Sequence, residues 1–139
     1  MDFLSALRLS STGLSVERTR VNLAASNLAN AESTRGPDGA PYRRLDPVLE
    51  ATPFEEELGG ATGLSGVRVA EIAQDQRPGR RVYSPSHPDA DPNGFVTLPN
   101  VNPIYEVVNL MSAQKAYDAN ATAVDTLKTM AQRALDIAP

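Results

Sequence analysis

Apolar residues recur at intervals of seven along the first 36 residues, which contain no proline. The two rows are Leu7, Leu14, Val21 and Leu28, and Leu9, Val16 and Leu23. Because proline is strongly unfavourable inside a helix, this segment predicts a long helix that begins near Asp2 and ends before Gly36 and Pro37. The rows lie about 200° apart around that helix. We therefore expect neighbours on two sides of it, although an ordinary bundle helix is the alternative.

Residues 24–31 add many small side chains, which would let a neighbouring helix approach closely, and they include Asn27 and Asn30. At the other end of the chain, Asn102 can cap a helix, Pro103 suits its first position, and Glu106 lies near the positive end of its dipole. This C-terminal helix should run on to the end of the sequence.

The C-terminal segment carries a coiled-coil pattern, in which two apolar rows lie three residues apart. The rows are Leu110, Tyr117, Val124 and Ala131, and Ala113, Asn120, Leu127 and Ala134. Met130 and Ala123 widen the apolar face to about half the circumference, which is more than one contact needs. Asn120 either fixes the register of a buried seam or lies at the edge of the apolar face and reaches water.

Ten of the eleven prolines lie between Pro37 and Pro103. Short β-prone runs occur at 67–72, 81–83 and 94–98, and an acidic run at 55–57 precedes a glycine-rich spacer at 59–63. We predict a mainly α fold, in which an antiparallel coiled-coil pair of N- and C-terminal helices carries a small, irregular, Pro/Gly-rich β insert. The expected divisions are 1–36, 37–102 and 103–139.

Composition narrows the classes of partner. The net charge is −4 with no basic arm, so nucleic acid is not an expected partner, and the absence of cysteine leaves no disulfide to stabilise the fold. Both helices offer more apolar surface than one contact can cover, which is typical of a chain completed by assembly into open arrays. The candidate assembly residues are Leu7, Leu9, Leu14, Val16, Val21, Leu23, Asn27, Leu28, Asn30, Leu110, Ala113, Tyr117, Asn120, Val124, Leu127 and Met130.

Candidate chemistry is confined to the segment 87–94. Asp89, Asp91 and Asn93 match the first half of an EF-hand calcium loop, but the twelfth position, which requires Glu, is Asn100. His87 lacks the partners that would make it a catalytic base. We therefore expect no catalytic residue, no metal site, no cofactor and no small-molecule substrate, with a calcium-binding module as the alternative.

Several motifs resemble those of bacterial flagellar axial proteins. The segment 11–18, with Asn22, residues 25–31 and Thr34, resembles the N-terminal signature that rod, hook and hook-associated proteins share. Residues 41–44, 83–91, 94–96, 99–103 and 111–120 are similar to proximal-rod subunits in particular. Together these motifs extend over nearly the whole chain.

This resemblance implies a non-enzymatic structural subunit of the basal-body rod, the shaft that crosses the periplasm and transmits torque. Its implied partners are other copies of itself, related rod proteins, membrane-ring or rod-adaptor proteins, and the flagellar type III export apparatus. Export would not require a cleaved signal, which fits the acidic Asp2 at a place where a signal peptide is positive. The alternatives are a soluble helical adaptor or export chaperone, and another axial protein of the same family.

Overall fold

Two long helices pack against each other in the computed structural model, which describes residues 3–36, 38–53 and 65–137. Helix α1 spans Phe3–Ala29, and helix α2 spans Pro103–Ile137. The predicted Asp2 cap lies outside the described residues. Together with two short β-hairpins between the helices, this architecture confirms the predicted class, mainly α with a small β insert.

The two helices run antiparallel. Gly13 of α1 lies against Asn120 of α2, and fourteen residues further along α1, Asn27 contacts Glu106, fourteen residues earlier in α2. A Cβ atom added to Gly13 would come within 2.9 Å of Asn120 Nδ2. The absence of a side chain at Gly13 therefore provides the space that the half-buried Asn120 occupies.

The helix ends are set by polar side chains. Asn102 caps α2 as predicted, because its Oδ1 accepts the backbone N–H groups of Ile104 at 3.0 Å and Tyr105 at 3.3 Å. Helix α1 ends at Ala29, well before Pro37, where tighter turns replace the helical bonds: the N–H of Ala31 donates to the carbonyl of Leu28 at 3.3 Å. Asn30 Nδ2 donates to the carbonyl of Ser26 at 2.9 Å at this end. The helix therefore ends before Pro37, as predicted, but it ends several residues earlier than the proline requires.

The insert consists of two antiparallel hairpins. In the first, β1 (Leu45–Pro53) pairs with β2 (Ser65–Gln74), and a bulge after Val48 leaves one extra residue in β2. In the second, β3 (Arg80–Tyr83) pairs with β4 (Phe95–Leu98). Three of these strands were predicted from sequence, whereas β1 was not. The acidic run and the glycine spacer at 55–63 lie outside the described residues.

Helix α1 is covered from two sides within its own chain, by α2 and by the β1–β2 hairpin. A Cβ atom added to Gly66 would lie 3.5 Å from the side chain of Thr12, and the Thr12 hydroxyl accepts the N–H of Val67 at 3.4 Å. Around the axis of α1, Thr12 lies within about 60° of the row that contains the buried Val16 and Leu23. The first hairpin of the insert therefore provides part of the second contact that the sequence predicts for α1.

Candidate functional site

Buried polar side chains join the C-terminal end of α1 to the start of β1 and the start of α2. Asn27 and Glu106 are each only 1% exposed and are the largest fully buried side chains among the described residues. With Tyr42, Arg44 and the backbone of Leu45 they form one set of hydrogen bonds, which we call the Asn27 network.

Asn27 uses all four of its hydrogen-bonding positions. Its Nδ2 donates to the carbonyl of Leu45 at 2.9 Å and to Glu106 Oε2 at 3.2 Å. Its Oδ1 accepts the N–H of Leu45 at 2.9 Å and the hydroxyl of Tyr42 at 2.9 Å. The side-chain amide thus pairs with Leu45 as a neighbouring strand would, and it holds β1 against α1.

Glu106 is held by a cation as well as by Asn27. Arg44 Nε donates to Glu106 Oε1 at 2.6 Å, and Arg44 also pairs with Asp46. Burial works against the charge of Arg44, but its hydrogen bonds to Glu106 and Asp46 and the charges of these two carboxylates together outweigh burial, and its pKa is raised. Removing Arg44 would leave the buried Glu106 carboxylate without the cation that faces it, which is strongly destabilising.

Asp75 fixes the junction between the two hairpins. Its backbone N–H donates to the carbonyl of Arg44 at 2.8 Å, and its carboxylate accepts from the side chain of Arg77 and, at 3.3 Å, from Asn100. Hydrogen bonds from the Arg77 side chain and backbone lower the pKa of Asp75 to about 2. The start of β1 is therefore tied to the segment that enters α2.

The segment that resembled a calcium loop forms a turn. Asp91 Oδ1 accepts the N–H groups of Phe95 and Asn93, both at 2.9 Å, and the bond from Phe95 is the main reason that the pKa of Asp91 is lowered. Asp89 is instead bonded to Thr34 and Arg35, which follow α1. Each carboxylate thus has its own partners, and the parts of the chain that the structure describes hold no cluster of three metal-ligating side chains.

The face of α2 that points away from α1 carries exposed apolar side chains near its start. Ile104 is 78% exposed, Val108 56% and Met111 54%. Helix α1 covers the opposite face, where Ala113 is fully buried. Side chains of this kind on one helix face are typical of a surface that a partner covers.

Comparison with known proteins identifies the family. A family model for the C-terminal part of the flagellar basal body rod FlgEFG proteins matches residues 93–137. The chain is 42% identical over 137 residues to the flagellar basal-body rod protein FlgC of Salmonella typhimurium, with 99% of this chain and 98% of that protein aligned. The chain belongs to the FlgC family of flagellar basal-body rod proteins.

Two further FlgC proteins give the same result. The FlgC proteins of Borreliella burgdorferi and Aquifex aeolicus are 38% and 39% identical to the chain, and each alignment covers at least 97% of both sequences. As a FlgC-family member, the chain is a structural subunit of the rod in the flagellar basal body and assembles with other rod components. This confirms the predicted rod subunit, and the adaptor or chaperone alternative is not favoured. None of the described helices is long and apolar enough to cross a membrane.

The structure distributes the candidate assembly residues over three environments. Four are buried, namely Val16, Leu23, Asn27 and Ala113. Eleven are half-buried, namely Leu7, Leu9, Leu14, Val21, Leu28, Asn30, Leu110, Tyr117, Asn120, Val124 and Leu127. Met130 is 61% exposed. Most of these side chains therefore contribute to packing within the FlgC-family subunit, and their part in contacts between subunits stays a prediction.

Sequence reasoning missed three members of the Asn27 network: Tyr42, Arg44 and Glu106. Glu106 was interpreted only as a residue that suits the helix dipole. One signal was available, because Glu106 lies seven residues before Ala113 and therefore on the same row as Asn120 and Leu127. A carboxylate on a row that faces another helix requires a buried partner.

Proposed function

We propose that this subunit assembles through its two terminal helices into the tubular drive shaft of the flagellum. In this proposal α1 and α2 form an antiparallel coiled coil that lines the inner part of the tube. The insert, residues 37–102, lies outside and contacts neighbouring subunits. Rotational load then passes between subunits through many apolar contacts.

The uncovered face of α2 carries this proposal. A single copy leaves Ile104, Val108 and Met111 more than half exposed on one side of α2, although its other side is packed on α1. Helix burial stabilises by about 25 cal/mol for each Å² of apolar surface removed from water. A neighbouring helix on this face would recover that free energy, which the isolated subunit leaves unused.

We further propose that the partners are other copies of this chain, related rod proteins, and the membrane-ring or rod-adaptor proteins at the base of the shaft. The rod would cross the periplasm, and the subunit would leave the cytoplasm through the flagellar type III apparatus without a cleaved signal. The subunit would have no enzymatic activity and need no cofactor.

The test is a charge placed on the uncovered face. Met111→Asp puts a carboxylate where a neighbour would have to desolvate it, whereas Ser112→Asp adds the same charge at an exposed polar position of the same turn. Each gene is expressed in a flagellated bacterium that lacks its own FlgC-type subunit. We expect both variants to be exported, but only the Ser112→Asp subunit to restore rods and swimming.

Circular dichroism of the purified variants provides the control, because both should keep the wild-type helix content. Normal basal bodies and normal swimming with Met111→Asp would contradict assembly through this face. Failure of both variants to assemble would show that any added charge is harmful, and would leave the apolar face without a specific role.

A further inference from the structure

A groove of about 280 Å³ lies where the two hairpins of the insert meet, and we call it the junction groove. It is lined by residues 40–44 before β1, residues 75–79 between the hairpins, and residues 97–100 before α2. The apolar side chains on its walls are Pro41, Pro78, Leu98 and Pro99. Because proline has no N–H group, an apolar side chain seated here would bury few backbone donors.

The groove is held in shape by the chain itself. The Asp75 N–H donates to the carbonyl of Arg44 at 2.8 Å, which joins the first two lining segments. Asn100 Nδ2 donates to the Asp75 carboxylate at 3.3 Å, which joins the third. A partner that enters a groove already formed loses less free energy to ordering than one that must shape it.

Arginine side chains surround the junction groove. Arg43 and Arg77 line it, and Arg80 follows the lining residue Gly79. Arg77 is paired with Asp75, whereas Arg43 donates to the neutral side-chain carbonyl of Gln76 at 2.7 Å. Arg43 and Arg80 are exposed, and neither is paired with a carboxylate among the residues that the structure describes. The rim of the groove is therefore positively charged.

The same chain contains a segment of complementary chemistry. Residues 45–67 include five acidic residues and no basic one, and three of the five are consecutive, at 55–57. Phe54 and Leu58 flank these three glutamates. In contrast, residues 76–88 include three arginines and no acidic residue. A short acidic segment with an apolar residue at each end matches an apolar groove that has arginines at its rim.

One copy cannot place this segment in its own groove. The first hairpin runs straight along α1, because Leu45 is bonded to Asn27 and Val67 to Thr12, fifteen residues or about 22 Å away along the helix. Nine residues of extended chain therefore separate Pro53 from the groove, a distance of about 30 Å. Leu58 follows Pro53 by five residues and so lies within about 18 Å of it.

We propose that residues 54–58 of one copy occupy the junction groove of a second copy of this chain, displaced along the axis of α1. The inference rests on the proposed function, to which it adds a contact between inserts and the charges that direct it. The glutamates pair with Arg43 and Arg80, and a flanking apolar side chain packs on the prolines. Because segment and groove lie at opposite ends of the first hairpin, the step can be repeated without closing a ring.

Exchanging the charges tests the pairing. Arg43→Glu/Arg80→Glu reverses the groove, Glu55→Arg/Glu57→Arg reverses the segment, and the combination of all four keeps the net charge. Each gene is expressed in a flagellated bacterium that lacks its own FlgC-type subunit. We expect each double variant to lose rods and swimming, and the combination to restore both. Arg68→Glu is the control, because it reverses an exposed arginine of β2 outside the groove and should swim normally.

Disulfide capture identifies the partner, because the chain has no cysteine of its own. Purified Gln76→Cys protein, with its thiol in the groove, and Glu56→Cys protein are mixed at high concentration and oxidised at low ionic strength, where surface charges are least screened. We expect a covalent dimer, and its loss when Thr122→Cys on the exposed side of α2 replaces Gln76→Cys. The double variant Gln76→Cys/Glu56→Cys should give multimers.

Several results would overturn the proposal: normal swimming of either double charge variant, no rescue by the combination, or an equal defect in Arg68→Glu. Equal dimer yield with Thr122→Cys, or a disulfide within a single copy of the double-cysteine variant, would do the same. The proposed function fails separately. If Met111→Asp blocks rods and the charge exchange has no effect, assembly through helix faces stands and this inference falls. If the combination rescues swimming and Met111→Asp builds normal rods, the reverse holds.

Discussion

Replacing Asn27 with alanine tests whether the Asn27 network determines the stability of the helix pair. The substitution removes four hydrogen bonds and leaves the Leu45 N–H and carbonyl, the Tyr42 hydroxyl and Glu106 Oε2 without that partner. Each buried polar group without a partner costs about 1–3 kcal/mol. Water can enter from the adjacent open groove and compensate part of this cost. We therefore expect the free energy of unfolding to fall by about 3–4 kcal/mol.

Asn27→Asp keeps the shape of the side chain but changes its hydrogen bonding. The side chain keeps its size, but a carboxylate oxygen replaces Nδ2, which lies 3.2 Å from Glu106 Oε2. The neighbouring Glu106 carboxylate should raise the pKa of the introduced carboxyl above its usual value of about 3.9. An acid with a raised pKa binds more protons in the folded state than in the unfolded state. The electrostatic part of its destabilisation is therefore complete above the raised pKa and disappears as the pH falls toward about 3.9. One of the two bonds that Nδ2 donates stays lost, because a protonated carboxyl group has a single O–H donor.

Urea unfolding followed by circular dichroism measures both effects, and hydrogen exchange at the Leu45 amide reports the local opening. Asn30→Ala is the matched control, because it removes a polar side chain from the same end of α1 but loses mainly the bonds to Ser26 and Ser33. That control should cost only about 1 kcal/mol. The reasoning is refuted if Asn27→Ala is no more destabilising than Asn30→Ala, or if the destabilisation by Asn27→Asp does not decrease in acid.

Two further predictions concern the insert. The pKa of Asp75 is lowered from 3.8 to about 2 by Arg77, so the carboxylate stabilises the fold fully above pH 3.8, and this contribution is lost as the pH falls through about 2. Asp75→Asn should therefore flatten the acid decline of stability over that range, and identical declines in variant and wild type would contradict this. Gly79→Ala should destabilise the β3–β4 hairpin by about 1–3 kcal/mol, because its Cβ would overlap the carbonyl oxygen of Leu98. Gly66→Ala meets only ordinary contacts and should change little, and equal thermal stability of these two variants would refute the prediction.

Local patterns in the sequence were enough to predict the helices. The rows of apolar residues and the Asn102 cap depend on residues close together in the chain, and both helices appear where those patterns place them. Strand β1 was missed because Pro47 and Pro53 argue against a strand interior. Both prolines are tolerated because each strand of a two-stranded ribbon is an edge strand. The sequence of β1 alone does not show that it is an edge strand; its pairing with β2 in a two-stranded sheet does.

The Asn27 network could not be derived in the same way, because its partners are distant in sequence. Arg44 and Glu106 are separated by 62 positions, and the geometry that brings them together depends on the unpredicted β1. The partner of the second apolar side of α1 could not be derived from the sequence either. From sequence it indicated a neighbouring subunit, but the first hairpin of the same chain covers part of it. The sequence pattern shows that a second side of α1 must be covered, but only the three-dimensional structure shows which part of the chain covers it.

The network and the rod contacts are connected through the register of the helix pair. Sliding α2 along α1 by one residue would also turn it by about 100°. That rotation would withdraw Glu106 from Asn27 and Arg44, and would move Asn120 out of the space that Gly13 leaves. Buried polar groups tolerate such a slip far less than apolar ones, because each loses a specific partner. The network therefore fixes the register of α2 on α1, and in the proposed assembly it determines which apolar surface of α2 a neighbouring subunit can reach.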